Sequence, residues 1–525
     1  MRAGGAAWAA GLAAVVAVPL ALLGPPAGDL PAHLYRTELV EEGVLLWDTF
    51  WYAGHYPLAS YSLLYYFPAA IVGNELLALL AVVVAAALFA LVVERQWGLR
   101  GRPAALAFAV VAAAPLFTGT YPYALGLATL LGALVALQRG RIWLAVVLSA
   151  GTLGASPLAF LFLCLLLAAI FLVRRRLDGR SLALGAAVLA LGVFQGAVLL
   201  LFPLEGHYPF FRVSELLVVF ALAGLAAVLA LRAPEARVVG AVFVLWALVS
   251  LIAFLVPSPI GENVTRLRGV VLPLMLLAAA LAEWRPRAVV ALATAGALAY
   301  TLVPYVAVIP HRTEAPAQEA FWAPALAFLR SHADPDYRVE VVPTADHWEA
   351  YWVPRSGLPL ARGWYRQLDI EQNPLFYHDP LEPAAYRAWL RSRGVRYVLL
   401  PHTELGRMGE EREGELLRGG AAGFAPVFRS PTGTVYELRR PTPILTGLRP
   451  ARLTSLGHER VAGELTAPGR YRLAVGWTPW WRVDSGAICV REASDGMTTL
   501  EARSAGRFVL RASIPGRGSC PGASS

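Results

Sequence analysis

Apolar and polar positions divide this chain into two unlike parts. Up to about residue 310, long runs of Ala, Leu, Val and Phe recur with only short polar interruptions. Beyond it the runs shorten and alternate with charge. A membrane-crossing helix needs about 20 apolar residues, and about eleven segments approach that length: 4–23, 76–93, 104–117, 123–137, 142–153, 157–173, 182–202, 215–231, 238–256, 270–281 and 288–306. Segment 142–153 is the weakest; it runs through Gly154, Ala155, Ser156 and Pro157 into the next, as a broken hairpin would. Residues 60–72 are apolar and aromatic but contain Pro68, the pattern of a re-entrant or interfacial piece. The first run follows a short basic start, so a signal peptide and a retained first helix both fit; the many spans after it favour retention.

Arginines supply an orientation. They crowd alternate loops: Arg95, Arg100 and Arg102, then Arg139 and Arg141, then Arg174, Arg175, Arg176 and Arg180, then Arg232 and Arg237, then Arg285 and Arg287. By the positive-inside rule these loops are cytoplasmic. The chain is then expected in the plasma membrane with its N-terminus inside and its C-terminal part outside. In that part, 383–394 has helical spacing ending at Gly394. Residues 396–401 read as a buried strand, and 427–439 as a hairpin around Ser-Pro-Thr-Gly. From 441 onward short strands and turns predict a small β-sandwich. The expected fold is therefore a polytopic α-helical membrane protein of about 11 spans with a C-terminal extracytoplasmic α/β plus β-sandwich region. Its divisions are 1–310, 311–440 and 441–525.

Composition agrees: 57% of residues are hydrophobic and 15% charged, against about 25% charged in soluble domains. The net charge of +9 comes from arginine alone, with no basic block in the tail, which argues against nucleic acid as a partner. Of three cysteines, Cys164 lies in an apolar run. Cys489 and Cys520 lie in the tail, where a disulfide is expected and two free thiols are the alternative.

The chemistry concentrates in 28–57, GDLPAHLYRTELVEEGVLLWDTFWYAGHYP. Asp29 follows the first apolar run by about six residues. A carboxylate there can take a proton from an attacking hydroxyl or hold a divalent cation against a phosphate leaving group; it is equally a good helix N-cap. His33 and Arg36, at i+4 and i+7, share its helical face, with Arg36 suited to phosphate. The ordinary alternative is a local ion pair of little worth. No third ligand is spaced to make a zinc site. Asp48 sits among Trp47, Trp51, Tyr52, His55 and Tyr56. An interfacial aromatic belt accounts for one or two of these, and a sugar-binding surface for the rest. On the same side lie Glu262, Asn263, Arg266 and Arg268, and the two arginines run against the bias. Binding a lipid-linked phosphate explains them, as does pairing with head groups. Glu205, His207 and Arg212 are candidates for the same cavity. In TPWWRVDSG, strand alternation puts Trp480 and Trp481 on opposite faces, one in the core and one a candidate sugar platform.

With this topology the chain resembles the GT-C superfamily of polytopic glycosyltransferases. These carry an acidic residue in the first outward loop and often a C-terminal extracytoplasmic domain. Asp29-x-x-x-His33-Leu34-x-Arg36, WYAGHYP, YSLLYYFP, GENVTRL and NPLFYHDPLEPAAYRAWL more closely resemble bacterial membrane proteins described as related to 6-pyruvoyl-tetrahydropterin synthase. The chain lacks a tight acidic pair in the first loop; Asp48 is the nearest second acid. The resemblance implies a hexosyl- or pentosyltransferase that moves a sugar from a polyprenyl-phosphate donor to an extracytoplasmic glycan, lipid or protein. Asp29 and Asp48 would be catalytic. His33, Arg36, Trp51, Tyr52, His55, His207, Asn263, Arg266 and Arg268 would bind substrate, with a divalent cation as the one candidate cofactor. The rival readings are a transporter or flippase of a lipid-linked or polar substrate and a non-catalytic glycan-binding scaffold. Against transport, the spans hold almost no central charge.

Overall fold

The computed structural model describes residues 4–24, 28–175, 178–203, 206–307, 315–378, 380–406, 408–420 and 423–520. The chain is a polytopic helical membrane protein with a C-terminal sheet region. It divides into two compact units. A helical unit holds 1–33, 61–201 and 207–313; a sheet unit holds 34–60, 202–206 and 314–525.

Among the described residues, nine stretches are long and apolar enough to cross a membrane. One of them, Asn74–Thr118, contains the helices Asn74–Trp97 and Arg102–Val111, which pack on each other across the turn Gly98–Gly101, and the short helix Pro115–Thr118. Ile142–Ala155 is a shorter apolar helix of 14 residues. Each of the eleven apolar segments read from the sequence is thus helical for most of its length. The helix Pro157–Arg174 begins where Ser156 accepts the backbone N–H of Ala159, so the Ser-Pro pair caps and restarts the chain. Residues 60–72 resolve into a bend and the seven-residue helix Tyr66–Val72. The bend is tied down by Ser62 Oγ donating to Ala155 O and Leu64 N to Gly154 O, both at 2.7 Å. The expected domain border at 310–311 lies outside the described residues.

The sheet unit holds three four-stranded sheets. In one, Arg338–Val341 pairs in parallel with Val395–Pro401, followed by Gly433–Leu438 and Phe424–Ser430 in antiparallel. The helix Pro383–Ser392 precedes the second strand and packs on it. Two antiparallel sheets follow, one centred on Gly469–Gly476 and Met497–Ala502, the other on Gly506–Ala512 and Arg460–Leu465. Their inner faces share one core of Leu453, Val461, Tyr471, Leu473, Leu500 and Phe508, so they form a sandwich. Trp481 is buried in that core, while the ring of Trp480 stacks on Phe202 at 5.5 Å and is no open platform. Cys489 and Cys520 are joined as a disulfide; Cys164 is free.

One group in this unit is buried and charged. Arg362 donates through Nε to Glu340 at 2.7 Å and through Nη2 to Glu413 at 2.5 Å, while the Tyr386 hydroxyl donates to Glu413 at 2.5 Å. Both glutamates are fully buried.

The division into units corrects the expected domain border in one respect. Residues 34–60 belong to the sheet unit, because its edge atoms hold them. Glu459 Oε1 accepts from the backbone N–H of Leu45 and Leu46, and His458 O from Thr49 N. Gly54 (φ +88°) lies against Gly476; a Cβ on Gly54 would meet Val475 at 2.7 Å, and one on Gly476 would meet Gly54 O at 2.6 Å. Only glycine allows that approach.

Candidate functional site

The sheet unit absorbs most of the polar cluster read from 34–60. Asp48 is fully buried and all its acceptor capacity is used. Oδ1 takes the N–H of Phe50 (3.0 Å) and Nδ1 of His458 (2.9 Å); Oδ2 takes the Tyr35 hydroxyl (2.9 Å) and the N–H of Trp51 (3.2 Å). Trp51 is also fully buried, stacked on Tyr35 at 4.6 Å with Nε1 donating to Ala350 O. The Tyr52 hydroxyl donates to Tyr365 O at 3.1 Å. The ring of His55 lies between the carbonyls of Tyr52 and Gly496, and burial, aided by Arg393, pushes its pKa down to about 4. Arg36 donates to Leu58 O at 2.5 Å, buried within the unit. Asp48, expected as a second catalytic acid, and Arg36, Trp51, Tyr52 and His55, expected to bind substrate, are thus each packed and bonded within the sheet unit.

Burial lowers the pKa of His458, but the hydrogen bond and charge of Asp48 outweigh it and the net shift is upward. An imidazole with a raised folded pKa stabilises fully below its unfolded value, about 6.5, and loses that contribution as pH rises through the folded value. Thermal unfolding of the full chain in detergent from pH 6 to pH 9 should show it. The wild type should lose more melting temperature across that range than His458→Gln; parallel curves would mean that the Asp48–His458 pair contributes nothing.

The helical unit brings other residues together. The helix Leu30–Glu41 starts directly after Asp29, whose own N–H donates to Thr118 O at 3.1 Å. Arg266 lies in the turn Gly261–Leu267. That turn is anchored by Trp246 Nε1 donating to Val264 O at 3.0 Å and by Glu262 accepting the N–H of Phe211 at 2.6 Å. At Gly261 (φ +43°) a Cβ would sit 1.6 Å from Tyr208 O, so the turn cannot take this path with a side chain there. From it, Arg266 Nη2 donates to Asp29 Oδ2 at 3.0 Å, across 237 positions of sequence. Both side chains remain about one-third exposed.

Asp29 and Arg266 line a cavity of about 270 Å³ together with Asn263, Arg268, Tyr123 and Tyr305. Five of the sequence candidates, Asp29, Glu262, Asn263, Arg266 and Arg268, thus converge. Arg268 is already engaged, bonded to Glu215 at 2.8 Å and lying over the Tyr300 ring at 4.8 Å. His33 is buried with Nδ1 3.0 Å from the Tyr66 hydroxyl, and neither it nor the exposed His207 lines the cavity. Glu205 lies outside the described residues. Sequence reading missed Tyr123 and Tyr305, which sit in apolar helices where a lone tyrosine reads as packing.

The residues around Asp29 do not make a cation cage. Among the described residues the one grouping of three potential ligands is Cys489, Glu501 and Cys520, and its two cysteines are bonded to each other. Asp29 would hold a cation only alongside oxygens brought by a substrate.

No family model matches the chain and no curated protein matches it. Among solved structures, the chain is similar to the crystal structure of ArnT from Cupriavidus metallidurans in the apo state. The identity is 14% and the TM-score 0.41, over 82% of this chain and 98% of that one. A likeness of that degree says nothing about family, donor or acceptor.

Proposed function

We propose that the chain is a GT-C-type membrane glycosyltransferase that passes a sugar from a polyprenyl-phosphate donor to an extracytoplasmic acceptor. The observation that carries this reading is the convergence of Asp29 and Arg266 in one cavity of the helical unit. A carboxylate beside a guanidinium supplies what the reaction requires: a proton acceptor for the attacking hydroxyl and a cation for the departing phosphate. The guanidinium has five N–H donors and spends Nη2 on Asp29, which leaves donors to face a phosphate. As the acceptor oxygen bonds to the anomeric carbon, its proton passes to Asp29. The carbon–oxygen bond to the phosphate breaks, and its electron pair leaves with the phosphate held by Arg266. A single displacement of this kind inverts the anomeric centre. Arginine bias places the cavity outside, where nucleotide sugars are absent and a lipid-linked donor is the available one.

Arg266→Gln tests the phosphate role. Losing a charged hydrogen bond of about 1.5–3 kcal/mol should raise the KM for the lipid donor about 10–100-fold, with a smaller change in acceptor KM. Equal changes for donor and acceptor would count against it. A transport role would instead be favoured by substrate movement across liposomes without glycosidic bond formation.

A further inference from the structure

A second cavity, of about 460 Å³, lies in the helical unit away from Asp29 and shares no residue with the first. Its walls are the helices Asn74–Trp97, Tyr121–Gln138 and Ile142–Ala155. It is a groove because the middle helix presents small residues, Ala128, Gly132 and Ala136, between the larger side chains of Leu80, Val84 and Leu148. Leu80 and Val84 remain about half exposed at its rim. Along the middle helix it runs from Leu125 to Arg139, about 21 Å at 1.5 Å per residue. That length carries one hydrocarbon chain through its own leaflet, about half of a ~30 Å apolar core.

Apart from Thr129, whose hydroxyl donates to Leu125 O and Gly126 O of its own helix, the groove is apolar except at one end. There Arg139 and Arg141 line it. Both are exposed, and neither makes an ion pair among the described residues. An apolar slot ending in unpaired arginines is complementary to one kind of molecule, an anionic lipid with its phosphate at the arginines and a chain in the slot.

We propose that this groove is a binding site for an anionic phospholipid, with Arg139 and Arg141 on the phosphate and one acyl chain against Gly132. The site is independent of the transferase reading, since it contains none of that cavity's residues, and its test reads binding rather than transfer. Each arginine near an anionic head group is worth about fivefold in affinity, so the pair gives about 30-fold.

The full-length protein, delipidated in detergent, would be titrated with phosphatidylglycerol or phosphatidylcholine and followed by native mass spectrometry. The expected result is a preference for phosphatidylglycerol of about 30-fold in the wild type. It should fall to within about threefold of parity in Arg139→Gln/Arg141→Gln. Gly132→Leu, whose side chain would fill the slot beside Leu148, should reduce retention of both lipids. The arginine variant alters only exposed side chains, so it remains informative even if Gly132→Leu does not fold. Equal retention of the two lipids by the wild type, or an undiminished preference in the arginine variant, overturns the proposal.

Discussion

Replacing Asp29 by Asn should lower sugar transfer by about 10²–10⁴-fold, the range for loss of a positioned general base, and leave the protein folded. The substitution keeps the shape and retains an oxygen for Arg266 Nη2, but removes the proton acceptor. The competing explanation of the Asp29–Arg266 contact is an ion pair that only fastens the turn Gly261–Leu267 to the start of the helix Leu30–Glu41. With both side chains about one-third exposed, such a pair is worth at most about 1 kcal/mol. The two explanations therefore separate cleanly. Both predict at most a small drop in melting temperature; a purely structural pair predicts near-normal transfer, and only a catalytic base predicts its large loss. The assay follows transfer from a polyprenyl-phosphate sugar to acceptor, with donor binding measured in parallel. Full transfer activity in well-folded Asp29→Asn would remove the assignment.

What could be read from the sequence follows from the range of the interactions. The helices were legible because the membrane imposes a local rule: about 20 apolar residues in sequence, whatever they later touch. Helix, strand and hairpin around 383–439 were legible for a similar reason, since Gly394 and the turn before Gly433 act on their immediate neighbours. Asp29 and Arg266 could be nominated separately by loop position, but their 3.0 Å contact across 237 positions could not. The packing of the cluster at 47–56 was not legible. Its tryptophans and tyrosines fit an interfacial belt, a sugar platform and a domain core equally well by composition. What decides among these is Asp48 meeting His458, 410 positions away, together with the glycine contact between Gly54 and Gly476. Neither has any local signature. An aromatic cluster with a single acid is therefore weaker evidence for a site than a lone acid facing an arginine from a distant loop.

The largest stability effect should come from Arg362. Arg362→Met leaves Glu340 and Glu413 buried without a counter-charge, and breaking a buried ion group in this way costs about 3–5 kcal/mol. Burial raises the pKa of Glu340 and Arg362 opposes that rise, with the net shift upward. A carboxyl whose folded pKa is raised stabilises fully below its unfolded value, near 4.5, and loses that contribution as pH rises through the folded value. Without Arg362 the two glutamates hold their protons more tightly still, so the decline with rising pH should steepen. Tryptophan fluorescence melts of the full chain at pH 5 and pH 8 would read this, with the larger loss for Arg362→Met expected at pH 8. Replacing the whole group together, as Glu340→Leu/Arg362→Met/Tyr386→Phe/Glu413→Leu, removes the unpaired acids, the cost of desolvating them and the hydroxyl that donates to Glu413. That variant should recover most of the lost stability and flatten the pH dependence. If Arg362→Met melted like the wild type at both pH values, the cluster would not be the electrostatic centre of the sheet unit.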